Sequence, residues 1–310
     1  MIRNMQSKDI DAIKEIDKLC FKTKFARNSI GIEGYLEASN SSSLVYELDN
    51  KIIGYNFIHL WGSFAWFGPL GVHPEYKDKG IGKALINHTI KILKEDYKIS
   101  TIALNTMPES SYNVGFYMSL GFIPLKLTLT LKKELNFYNN LLIPSDYVTS
   151  EVTLSNETDY SSLKDNLKTM SNRIFKDFDL TSELCFIKTK EFGTAFELKT
   201  NGNIQGIILC YTKPIRGSLS KNMHIKLAII DGNIDYKKAI DSIIIACSNY
   251  AKSIGYESIT IDCNTCNTKI CNHLISKHAF KIQNPLVMMV MGKDNPFDSK
   301  TVLLLTRLAG

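Results

Sequence analysis

No uninterrupted run of about eighteen apolar residues occurs in the 310-residue chain, so no membrane-spanning helix and no membrane partner are expected. The opening Met1-Ile2-Arg3-Asn4-Met5 lacks the apolar stretch of a secretory signal. No block of five or more basic residues and no base-reading motif is present. Nucleic acid is therefore not an expected partner, although the net charge of +6 suits an anionic ligand. No complete zinc set can be assembled. Cys263 and Cys266 form a single Cys-x-x-Cys with Cys271, His273 and His278 nearby, and no second pair follows. The seven cysteines are read as reduced thiols of a cytoplasmic protein, with no metal; a structural zinc on this cluster is the alternative.

The hydrophobic share of 44% and charged share of 22% are ordinary for a globular chain, and the length exceeds what one core usually holds. Two domains are expected. Ser7 caps a helix with Ile10, Ile13, Ile16 and Leu19 at helical spacing. A second helix is placed around Ile32–Ala38. Strands follow at Ser43–Leu48, Ile52–Leu60 and Phe64–Val72, then a helix over Lys83–Leu93, a strand at Ser100–Leu104, a helix from about Ser110 to Leu120, and an alternating strand at Leu125–Leu131.

The second half repeats this order. Lys199–Gly206 resembles Glu47–Gly54, and Ser258–Ile261 followed by Ala279-Phe280 resembles Thr101–Leu104 followed by Gly121-Phe122. Tyr236–Ala251 has helical spacing, as Lys83–Leu93 does. Residues 1–133 are taken as one domain, 134–148 as a linker and 149–310 as a degenerate copy. Two unrelated α/β domains are the alternative.

The segment from Leu70 to Leu85 runs strand, loop, helix. Gly80 and Gly82 let backbone amides approach an anion with no Cβ in the way, and the first turn of the helix adds free N–H groups and its dipole. Lys77, Lys79 and Lys83 add charge suited to a diphosphate. A tight strand-to-helix turn would use the same glycines. The nucleotide P-loop spacing is absent, and so is the third glycine of a dinucleotide fingerprint.

Val72-His73-Pro74 followed by Gly80-Ile81-Gly82 resembles motif A of the GNAT superfamily of N-acetyltransferases, with Lys77 where that family has Arg or Gln. Phe116-Tyr117 and Gly121-Phe122 match its next motif in spacing, with Ser110 at the usual Asn and Asn113 at the usual Ala. The resemblance covers about residues 1–132. It implies two tandem α/β sandwich domains, each a mixed, mainly antiparallel sheet flanked by helices. It also implies acetyl-CoA as co-substrate, bound by Leu70, Gly71, Val72, Lys77, Asp78, Lys79, Gly80, Ile81, Gly82, Lys83, Ser110, Asn113 and Tyr117. By the same resemblance the strand through Leu70–Val72 splays from its neighbour, the Leu70 amide faces the thioester oxygen, and Tyr117 protonates the leaving thiolate. A packed aromatic is the other reading of Tyr117.

The expected reaction is transfer of an acetyl group to a primary amine of a small molecule or peptide. A non-catalytic acyl-CoA sensor is the alternative. The strand Phe64–Val72 has no carboxylate, so the base is left open among water, Glu109, His59 and His73. Trp61 and Trp66 could line an acceptor pocket or lie in the core. The second half keeps neither the glycines nor the tyrosine, because Gly80 maps to Lys237, Gly82 to Ala239 and Tyr117 to Ile275. It is expected to be non-catalytic.

Overall fold

The computed structural model describes residues 1–22, 24–135, 146–216 and 221–308. Most of the expected linker, residues 136–145, lies outside them. The first half runs β1 (Ile2–Asn4), α1 (Ile10–Phe21), α2 (Ser29–Ala38), β2 (Leu44–Leu48), β3 (Lys51–Trp61), β4 (Phe64–Val72), α3 (Ile81–Glu95), β5 (Thr101–Thr106), α4 (Ser111–Ser119) and β6 (Ile123–Glu134). The second half repeats that order. It comprises β7 (Val148–Val152), α5 (Glu157–Asn172), α6 (Thr181–Thr189), β8 (Gly193–Thr200), β9 (Asn203–Tyr211), β10 (Asn222–Asp231), α7 (Tyr236–Ser253), β11 (Ser258–Asn264), α8 (Thr268–His278) and β12 (Lys281–Met291). A further strand, β13 (Val302–Leu305), has no counterpart in the first half.

The fold is the expected mixed α/β one, a mainly antiparallel sheet flanked by helices. The two halves are joined more closely than the sequence suggests. All thirteen strands of the described residues belong to one sheet, in the order β1-β2-β3-β4-β5-β12-β6-β11-β10-β9-β8-β7, with β13 on β10. The last strand of each half is exchanged. β12 from the second half pairs with β5 of the first, from Ile102↔Met291 to Thr106↔Val287. β6 from the first half pairs with β11 of the second, from Ser258↔Glu134 to Asn264↔Thr128. The two exchanged strands also pair with each other.

The core follows the exchange. Alternation along β3 and β4 sends Trp61, Phe64 and Trp66 to one face, where they meet Phe178, Leu184 and Phe192 of the second half. Both tryptophans are fully buried, so they belong to the core rather than to a pocket wall. Ile58, Phe67, Leu85, Ile102 and Phe122 fill the opposite face beneath α3 and α4. Burying one such side chain contributes about 1.5–3 kcal/mol, so a core shared by two halves couples their stabilities.

Residues 1–135 expressed alone would lose β12 from β5 and both partners of β6. We expect this fragment to lack a cooperative thermal transition, whereas the full chain has one. A well-folded, monomeric fragment by circular dichroism and sedimentation would contradict the coupling.

Candidate functional site

Strand β4 is held on one side by β3 as far as Gly54↔Val72, but its parallel pairing with β5 ends at Trp66↔Ala103. Beyond that point β5 keeps only β12, which runs along its opposite edge from Ile102 to Thr106, and the facing edge of β4 is open. Register fixes what the open edge presents. His73 N–H donates to Ile53 O (2.8 Å), so by antiparallel alternation the N–H groups of Leu70 and Val72 face away from β3, into the opening. The register of β4 against β3 shifts between Asn56 and Ile58, opposite Gly68-Pro69, which re-aims the strand at the start of the opening. One carbonyl there is engaged, since the Cys20 thiol of α1 donates to Val72 O (2.9 Å).

The loop after β4 turns at Pro74–Tyr76, with the His73 ring nitrogen accepting from Glu75 N–H (3.4 Å). Asp78 and Gly80 both have positive φ, +60° and +78°. Gly80 caps α3 without a side chain, and a Cβ built on it would meet nothing within 4 Å. From 78 to 83 the backbone N–H groups make no hydrogen bond to the described residues. A Cβ on Gly82 would lie 3.8 Å from Leu70 and Val72, so this cradle adjoins the open edge of β4. Lys77, Lys79 and Lys83 are exposed around it and form no ion pair among the described residues; Lys79 Nζ lies 4.8 Å from the Tyr76 ring centroid. Free amides at a helix N-terminus, flanked by lysines, suit an anion.

Tyr117 lies on the same face. Its ring packs at 6.2 Å from Phe67, the first β4 residue beyond the pairing with β5, and at 6.1 Å from Phe122. Its hydroxyl has no hydrogen-bond partner among the described residues, and burial pushes the phenol up to about 12. The group is thus a neutral donor at physiological pH. Ser110 caps α4, its Oγ accepting from Asn113 N–H (3.2 Å). Thus the structure brings Leu70 to Val72, the 77–83 loop and Tyr117 around one opening, with Ser110 and Asn113 at the start of the helix that carries Tyr117.

The candidate bases are scattered. Glu109 is exposed before α4, and His73 is part of the turn. His59 is buried between Tyr35 (4.8 Å) and Trp61 (5.4 Å), with neither ring nitrogen bonded. Burial, then Lys226 and Arg27, holds its pKa well below the usual histidine value.

Across the sheet from Tyr117, residues of both halves line a half-open cavity of about 320 Å³ that the sequence did not reveal. Arg27 after α1 and the 213–216 segment after β9 cover it, while His224 and Lys226 of β10, Thr260 and Asp262 of β11 and Thr130 of β6 line it. Asp17 of α1, fully buried, ties the cover down. It accepts from Arg27 Nε (3.2 Å), the Tyr55 hydroxyl (2.7 Å) and Arg216. One signal was available, since Lys226 is the single charge between Ile225 and Ile230.

In the second half the same opening is filled. Beyond Ile225↔Ile261, β10 leaves β11 and pairs with β13, from Ala228↔Leu305 to Asp231↔Val302. Counted from the start of each strand, Ala228 and Ile230 stand where Leu70 and Val72 do. The N-cap matching Gly80 is Asp235, two residues before the expected Lys237. Its carboxylate accepts from Lys237 N–H and Lys238 N–H, the groups left free in α3. The cysteines form no disulfide. His273 and His278 lie apart from them in their bonding, and both contact Asp241 Oδ1, at 2.7 and 2.6 Å.

Two stability effects are expected. Asp17→Asn leaves the buried Arg27 guanidinium without a counter-charge and should cost about 3–5 kcal/mol in denaturant unfolding. His59 resists protonation only when folded. Stability should therefore hold above about pH 6.5 and fall as the pH drops towards the depressed folded value, because the unfolded imidazole takes up the proton. His59→Phe should flatten this acid limb.

Residues 10–122 match the model of the acetyltransferase (GNAT) family. An uncharacterized N-acetyltransferase of Methanocaldococcus jannaschii is 30% identical over 135 residues, which are 41% of this chain and 80% of that protein. A GCN5-related N-acetyltransferase structure from Sphaerobacter thermophilus superposes with a TM-score of 0.68 at 11% identity, covering 96% of this chain and 98% of its own. A tandem GNAT protein from the clavulanic acid biosynthesis pathway gives 0.64 at 12% identity, covering 95% and 99%. The last two likenesses concern the fold, and extend it to the tandem arrangement. No helix of the described residues is long and apolar enough to cross a membrane. With an N-terminal half that matches the family model and an open strand edge beside a free-amide cradle, the chain belongs to the GNAT family of acetyltransferases.

Proposed function

We propose that the first half, residues 1–133, binds acetyl-CoA and transfers its acetyl group to a primary amine of a small molecule or peptide, in the cytoplasm. The observation that carries this reading is the run of unused N–H groups from 78 to 83 beside the open edge of β4. The diphosphate sits on those amides with Lys77, Asp78, Lys79, Gly80, Ile81, Gly82 and Lys83 around it. The pantetheine arm runs along Leu70, Gly71 and Val72, and passes Ser110 and Asn113. The Leu70 N–H faces the thioester oxygen.

In the reaction, the lone pair of a neutral amine attacks the thioester carbon. Charge gathers on the carbonyl oxygen, where the Leu70 N–H stabilises it by about 3 kcal/mol. The carbon–sulfur bond then breaks, and Tyr117 donates its proton to the departing thiolate. The nitrogen loses a proton to water, giving an amide and the free thiol, and the phenol is reprotonated from solvent. A high phenol pKa keeps the donor protonated throughout the working range.

Two features support a non-catalytic role for residues 149–310, beyond the linker 134–148. β13 takes the strand edge that the thioester arm would need, and Asp235 places a carboxylate where phosphates would bind. A negative charge on those amides excludes another.

Calorimetry with coenzyme A should show one site per chain. Gly80→Val places a β-branched residue at φ +78° and should weaken binding at least about tenfold. No binding by the unaltered chain would overturn the proposal. Tyr117→Phe should lower kcat about 10²-fold or more with little change in coenzyme A affinity. Between about pH 8 and 10 the rate should show no alkaline fall from this group, since the phenol stays protonated there.

A further inference from the structure

The cavity between the halves is positively charged. Its described lining holds five arginines and lysines, namely Arg27, Lys213, Arg216, Lys226 and Arg307, and one carboxylate, Asp262. Asp262 is engaged within the protein. It is 1% exposed, accepts from the Thr130 hydroxyl and lies 3.3 Å from His224 Nε2. Burial pushes His224 down to about 4, so that ring is neutral. Two carboxylates stand just behind the lining. Asp17 is shared by Arg27 and Arg216, and Glu183 lies 4.0 Å from Lys226 Nζ. Even with both counted, cations outnumber carboxylates by five to three among the described residues, with Arg216 and Arg307 already engaged and Lys213 and Lys226 the ones facing a ligand.

Lys226 carries the argument furthest. It is 7% exposed on a central strand, where an ammonium is costly to desolvate. Its partners are the Leu308 carbonyl, the loosely placed Glu183 and, at 5.9 Å, the Tyr211 ring. Lys213 stands exposed at the rim with no ion pair among the described residues. A cleft with excess positive charge concentrates anions and repels ammonium groups.

The cavity is bonded to the strand that lines the opening. Asn105 of β5 lies beyond the last β4–β5 pair, and its Nδ2 donates to the Arg307 carbonyl (3.3 Å). About 320 Å³ holds a group the size of an amino acid or short peptide.

We infer that the acceptor is an amine that also carries an acidic group, a carboxylate or a phosphate, seated on Lys226 and Lys213 while its amino end reaches the opening beside β4. This rests on the transfer reading above. The arrangement also bears on the missing base. Nearby positive charge lowers the pKa of an ammonium, so an acceptor held here loses its proton to water more readily. The step still needs no group beyond the amine, the thioester and solvent.

Matched amines test the inference. Glycylglycine is compared with its carboxamide, and phosphoethanolamine with ethanolamine, on the full chain loaded with coenzyme A. Binding is read by calorimetry, and turnover with acetyl-CoA by thiol release. At least one acidic member should bind about tenfold or more tighter than its neutral partner, as a charge-assisted contact implies. Which pair shows it assigns carboxylate or phosphate. Lys213→Gln, at the exposed rim, should move that ratio towards one, and Lys226→Gln should do so more strongly if the variant folds. Equal affinities within both pairs, no binding of any member, or a ratio untouched by Lys213→Gln would overturn the acidic-acceptor inference. Acid-selective binding without thiol release would leave the acid site standing and overturn the transferase reading instead.

Discussion

Everything at the candidate site depends on a strand that cannot be paired on both sides along its whole length. β4 keeps β3 to its end but loses β5 after Trp66, while β5 runs on to Thr106 with β12 on its opposite edge. The edge left behind carries backbone N–H groups in a partly buried place, where an unmade hydrogen bond is costly. A ligand with a chain of amides and carbonyls answers that need. The cradle at Gly80 poses the same problem in a second form, since free amides at a helix start favour a negative partner. The two lie side by side, so one extended anionic ligand can satisfy both.

The second half shows how the protein resolves the same need without a ligand. There β13 completes the open edge of β10, and the Asp235 carboxylate completes the start of α7. Two copies of one design thus differ in what fills them. The filled copy contributes contacts and surface. Its β12 supports β5, its α6 packs so tightly on α2 that a Cβ on Gly34 would fall 2.1 Å from the Phe186 ring, and its Lys226 faces the shared cavity.

Legibility followed sequence distance. The order of elements and the strand–loop–helix turn at Gly80 could be read from the sequence, because periodicity, capping and turn chemistry act over a few residues, whereas Tyr117 was singled out only by the resemblance to the GNAT motif. Ser110 was read as a ligand contact, and the structure adds its role as the cap of α4. The exchange of β6 and β12 could not be read. Alternation shows that Leu125–Leu131 is a strand but does not name its partner, and β6 pairs with residues more than 120 positions away. Trp61 and Trp66 were ambiguous for the same reason, since their burial depends on Phe178 and Phe192 of the other half.

The sequence by itself determined the local chemistry: a strand ending near Val72, free amides after it, and a tyrosine one helix away. These follow from backbone sterics and hydrogen bonding between near neighbours. Only the tertiary structure decided which strand edge stays open, which copy is sealed, and that Asp17 and Arg216, 199 residues apart, close a cationic cavity. The free energy of those contacts belongs to pairs brought together by folding, so neither member carries it in its own segment of the chain.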